Sequence, residues 1–144
     1  MPGYEAPKGF KMKEFHLQIA TPDGIEFDGA AESLLVKCET GDVEIMAGHA
    51  DLFASLDIGR ARIRTADGER FASVAGGFLT VAGGDVKMIA TTLEFAEEID
   101  LDRALAAKEG AEQTIKTARD EITVEKAELK LSRALNRIKV AERR

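Results

Sequence analysis

The stretch Phe15-His16-Leu17-Gln18-Ile19-Ala20-Thr21-Pro22-Asp23-Gly24 decides how the first half of this 144-residue chain is read. Phe15, Leu17 and Ile19 alternate with His16 and Gln18. That period of two places the apolar side chains on one face of a strand and the polar ones on the other. Thr21-Pro22-Asp23-Gly24 then supplies turn chemistry, with Pro presetting φ and Gly accepting a positive φ. Working outward, short apolar pieces recur at 34–38, 43–46, 52–58, 61–65, 71–75, 78–81 and 86–90. Asp67-Gly68 and Gly83-Gly84-Asp85 separate alternating segments as tight hairpin turns do, and Gly76-Gly77 also reads as a pair of turn glycines. The rhythm predicts a β-sandwich of about ten short antiparallel strands.

The period changes after residue 99. Residues 100–143 contain no Pro and one Gly, Gly110, among Ala, Leu, Glu, Lys and Arg, all good helix formers. Ala104, Ala107, Ala111, Ile115, Ala118 and Ile122 mark one stripe in steps of three and four, and Val124, Ala127, Leu131, Ala134, Ile138 and Ala141 a second. An α-helical hairpin is expected, turning within 117–123, with Thr123 as N-cap of the second helix. Alanine stripes allow close approach but bury little area, so such helices need a surface to pack on. With no Gly or Pro in the turn, the sequence is compatible with a folded hairpin and with a more extended pair. The chain thus divides into a flexible leader over 1–12, a sandwich over 13–96 and a helical hairpin over 97–144.

Several classes are disfavoured. The apolar runs are too short for a membrane span, so work at a membrane would go through partners. One cysteine, Cys38, cannot form an internal disulfide and reads as a small buried hydrophobe. Two histidines, His16 and His49, lie in separate segments, His16 as a surface position and His49 as a loop hydrogen-bonder. No nucleophile–base pair, metal-ligand cluster or phosphate loop is visible, so catalytic and metal residues are none and no cofactor is required. A net charge of −6 without a basic aromatic patch argues against nucleic acid. Residues 124–144 nevertheless carry seven Lys and Arg against three acids, a solvated face or a surface for an anionic partner.

Asp100 and Arg103 are three apart and Arg133 and Arg137 four apart, each pair on one helical face. If the helices fold back, Arg103, Arg133 and Arg137 converge, and three guanidiniums suit a triphosphate. Glu94 and Asp100 would accept from base or ribose. Ordinary surface ion pairing accounts for the same residues.

Phe15 to Gly24, the loop Gly41-Asp42-Val43-Glu44-Ile45-Met46-Ala47-Gly48-His49, the run Val74-Ala75-Gly76-Gly77-Phe78-Leu79-Thr80-Val81 and the tail Arg133-Ala134-Leu135-Asn136-Arg137-Ile138 together resemble the epsilon subunit of bacterial F-type ATP synthases, equivalent to the mitochondrial delta subunit. The likeness runs from about residue 12 to 143. The chain departs from the family pattern at Glu44, where Gly is usual, and at Ala47 and Asp51, where Pro is usual. The resemblance implies a non-catalytic rotor subunit, peripheral on the cytoplasmic face of the bacterial cell membrane, whose sandwich binds gamma and the c-ring. It also implies a hairpin that extends into the alpha/beta head to inhibit ATP hydrolysis. It further implies ATP as a regulatory ligand, bound through Glu94, Ile99, Asp100, Arg103, Ala104, Arg133 and Arg137. A free-standing nucleotide-sensing module is the alternative reading.

Overall fold

The computed structural model describes residues 12–143, and the leader expected over 1–12 falls, apart from Met12, outside them. Eight strands are followed by a short 3₁₀ turn and two helices. They are β1 (Phe15–Thr21), β2 (Gly24–Ala31), β3 (Ser33–Cys38), β4 (Gly41–Met46), β5 (Leu52–Ser55), β6 (Ile58–Thr65), β7 (Gly68–Ala82) and β8 (Asp85–Phe95), then α1 (Leu101–Thr117) and α2 (Glu121–Ala141). The hydrogen-bonded order is β2-β1-β8-β7-β6-β3-β4, with β5 also on β7. Leu17 and Ile19 at one end of that path share a single buried cluster with Leu34, Val36 and Ile45 at the other. The sheet is therefore folded over itself, with its alternating inward residues as the filling of a sandwich. A sandwich followed by a helical hairpin is the architecture read from the sequence.

Three details differ from that reading. Among the described residues the strands number eight rather than about ten, and the pieces at 71–75 and 78–81 are one strand. β7 passes through Gly76 and Gly77 without a turn, at φ +78° and +123°. Its first part pairs with β6 and its last part with β5, so the two glycines bend one long strand between the layers. A side chain at Gly77 would run into the carbonyl oxygen of Ile89. Secondly, pairing is not wholly antiparallel: β1 runs parallel to β8, with Leu17 opposite Val86 and Ile19 opposite Met88. Thirdly, the N-cap of α2 is Asp120, not Thr123; Thr123 donates its backbone N–H to the Asp120 carboxylate at 2.9 Å. The Thr123 hydroxyl donates to the same carboxylate and is the main cause holding its pKa below the ordinary value.

The helices pack through their alanines: Ala104 and Ala111 of α1 and Ala127, Ala134 and Ala141 of α2 are buried. Ile122, expected with the α1 stripe, is exposed in the first turn of α2. Cys38 is buried, and that burial, with Asp42 nearby, pushes its thiol pKa up, which leaves it a packing residue. His49 meets the Ala50 carbonyl oxygen at 2.7 Å. His16 stands exposed and contacts Asp28. Among the described residues no helix is long and apolar enough to cross a membrane.

Candidate functional site

Two surfaces stand out. The first is a cleft of about 580 Å³ between α1 and α2. Its α1 wall is small: Ala107, Gly110, Ala111 and Thr114. Its α2 wall is cationic: Lys126, Lys130, Arg133 and Arg137. These four recur at steps of four, three and four, so they share one face of the helix over about 17 Å. Gly110 leaves space there, since a Cβ would meet nothing within 4 Å. A row of cations facing a smooth small-residue wall can take a chain of phosphates, the guanidiniums as forks and the ammoniums as point charges.

The residues singled out from sequence distribute unevenly around this cleft. Arg133 and Arg137 line it. Arg137 is also tied to the sheet: its Nε donates to Glu94 Oε1 at 2.6 Å and a terminal nitrogen to Oε2 at 3.2 Å. Glu94, near the end of β8, thus accepts from a guanidinium in this arrangement. Asp100 is the N-cap of α1, accepting from the Arg103 backbone N–H at 3.1 Å. Ile99 and Ala104 are buried. Arg103 is exposed in the first turn of α1 and does not line the cleft. Lys126 and Lys130 were not singled out, although the spacing 126, 130, 133, 137 carries the signal.

The second surface is on the body. On the outer face of the sheet, Ile25 is opposite Ala20, Ala20 opposite Ile89, and Ile89 opposite Phe78. Phe53 of β5 stacks on Phe78 with ring centroids 5.5 Å apart. Ile25, Phe53, Phe78 and Ile89 are 58%, 67%, 49% and 57% exposed. An apolar row crossing five strands and left in solvent marks a surface made for a partner.

Residues 14–96 match the family model described as ATP synthase, Delta/Epsilon chain, beta-sandwich domain. Residues 97–142 match that of the ATP synthase, Delta/Epsilon chain, long alpha-helix domain. The chain belongs to the ATP synthase delta/epsilon family. Among its delta/epsilon relatives, the ATP synthase epsilon chain of Bacillus velezensis is 42% identical over 130 residues, spanning 90% of this chain and 98% of that one. The epsilon chain of an Exiguobacterium species is 36% identical over 133 residues, or 91% and 98%. The fold is also that of a chain in the Euglena gracilis mitochondrial ATP synthase assembly of OSCP, F1 and c-ring, with a TM-score of 0.75 at 20% identity, covering 90% of this chain and 85% of that one. A chain of the Tetrahymena thermophila mitochondrial ATP synthase central stalk and c-ring gives 0.58 at 16% identity, covering 92% and 99%.

Glu44 and Asp51 of this delta/epsilon chain, two of its three expected departures from the family pattern, have local partners. Glu44 accepts from the Ser33 hydroxyl at 3.1 Å and from Arg62 at 3.3 Å. Asp51 accepts from the Gly83 backbone N–H at 3.1 Å.

Proposed function

We propose that this chain is a non-catalytic rotor subunit of the central stalk of a bacterial F-type ATP synthase. Its sandwich sits on gamma and the c-ring at the cytoplasmic face of the membrane. Its helical hairpin is a detachable brake on ATP hydrolysis, held down when the interhelical cleft takes ATP. One observation carries this reading: the hairpin meets the body through a small apolar cluster of its own. Ala96, Ile99, Val140 and Ala141, with Phe71 and Leu101 beside them, form that joint. None of them belongs to the cluster that fills the sandwich.

The single contacts across the joint are each modest. Burying Val140 contributes about 1.5–3 kcal/mol. Asn136 of α2 donates to the Gly59 carbonyl and to the Ser73 hydroxyl, each at 2.9 Å, at about 1 kcal/mol apiece. The Arg137–Glu94 pair is 21% and 38% exposed at its side chains, so solvent screening limits it to about 1 kcal/mol at most. A ligand binding only the folded hairpin adds about 2.7 kcal/mol at a hundredfold excess over its Kd. Terms of that size decide between docked and released forms a few kcal/mol apart.

The exposed row through Phe53, Phe78 and Ile89 favours the rotor reading over a free-standing nucleotide sensor, which has no use for an apolar face on its body. Phe53→Asp with Phe78→Asp is expected to abolish co-purification with the ATPase head from membranes while leaving the fold intact by circular dichroism. Retained assembly would sink the assignment of that face. For the cleft, ATP titration of the full chain by calorimetry should show Arg133→Ala and Arg137→Ala each weakening binding by about tenfold or more. Undiminished affinity removes both from the site. Unchanged affinity in Arg103→Ala would confine the phosphate contacts to α2.

A further inference from the structure

We propose a second anion site, on the other side of α2 from the interhelical cleft, that binds free phosphate and fastens the hairpin to the sandwich. It is a cavity of about 400 Å³ between the last turns of α2 and strands β3 and β6. That volume falls in the range of small-ligand pockets, about 300–1,000 Å³. Lys37 of β3 and Arg60 of β6 enter it from the sheet, and Lys139 and Arg143 from α2 and its end.

Four cations face two carboxylates there, Asp42 and Glu142. Lys37 and Asp42 are cross-strand partners in register, yet they form no ion pair. No ion pair among the described residues involves any of the six. The excess of two positive charges is therefore left to solvent or to a ligand, and free phosphate near neutral pH is a mixture of its mono- and dianion.

The groups are also prepositioned. The guanidinium carbons of Arg60 and Arg143 lie 5.8 Å and 5.3 Å from the centroid of one ring, Phe71. Stacking on a ring engages the guanidinium face and leaves its N–H edge for an oxyanion. The floor is fixed as well. The Lys37 stem lies so close over Gly59 that a Cβ at Gly59 would collide with it. The Gly59 carbonyl in turn accepts from Asn136 of α2. Close approach of β3 to β6 at a residue without a side chain is what brings Lys37 to the same cavity as the α2 cations.

A phosphate held here touches body and tail at once, so its binding free energy adds to the joint formed by Val140 and Ala141. The site does not depend on whether the interhelical cleft takes ATP. The test is a titration of the full chain with sodium phosphate against sodium chloride at matched ionic strength, followed by amide NMR. The expected result is saturable, phosphate-specific shifts at Lys37, Gly59, Lys139 and Arg143. Arg60→Gln and Lys139→Ala should each weaken the apparent Kd by about tenfold. Both are surface positions whose variants should keep the parent spectrum elsewhere.

Shifts no larger than those from chloride overturn the site. So do shifts confined to Lys126, Lys130 and Arg133, or an affinity indifferent to both substitutions. A second arm measures co-sedimentation with phosphatidylglycerol vesicles. Retention that requires Arg60 and Lys139, without shifts from free phosphate, would overturn free phosphate in favour of a lipid headgroup.

Discussion

Truncation after Glu98 is expected to release ATP hydrolysis by the assembled complex several-fold while the remaining sandwich stays folded and bound. The structural ground is the separation of the two apolar clusters. The cut removes Ile99, Val140 and Ala141 from the small joint. It removes nothing from the large cluster that runs from Phe15 to Phe95. Every strand pairing also survives, because β8 ends at Phe95. The newly bared surface lies around Ala96 and Phe71. Hydrolysis rates and assembly of truncated and full-length complexes, measured side by side, decide the matter. An unchanged rate would remove the brake, and failure to assemble would mean that the helices belong to the body's interface.

Gly77→Val should come close to preventing the sandwich from folding, with a loss on the order of 4 kcal/mol or more. Two costs combine. At φ +123° a β-branched residue sits in backbone territory nearly reserved for glycine. Its Cβ would also overlap the backbone of β8 at Ile89 and Ala90, which cannot move aside without breaking the β1–β8 ladder. The Gly77 carbonyl meanwhile accepts from the Leu56 N–H at 2.8 Å, fixing the start of β5's partner segment. Urea unfolding of the two chains measures the difference, and a loss within about 1 kcal/mol would show that the bend tolerates a side chain.

What the sequence disclosed and what it hid follow one physical line. Alternation in β1, β3 and β6 was legible because one face of each strand meets the core and the other meets solvent. β2 was not read as a strand: Ile25 points outward and Phe27 is only partly buried, so its apolar residues do not report the core. Gly76-Gly77 looked like a turn because a turn and a bend both require positive φ. Which one occurs depends on whether β5 and β6 are available to pair on either side. The parallel partnership of β1 and β8 leaves no local trace at all. In the hairpin the alanine stripes were plain, but the cap fell on Asp120 because its carboxylate reaches the Thr123 N–H three residues on. At the cleft, Arg133 and Arg137 were visible as an i,i+4 pair. The engagement of Arg137 by Glu94 joins residues far apart in the chain, and only the tertiary fold supplies it.

The β1–β8 pairing also bears on how the chain is made. Leu17 emerges early from the ribosome and its neighbour Val86 late, so β1 spends most of synthesis as a strand with one side open. The sandwich closes only once residue 95 has cleared the exit tunnel, when the helical residues are still being added. A nascent chain stalled before that point presents an unfinished sheet edge to the cell, a natural target for chaperones.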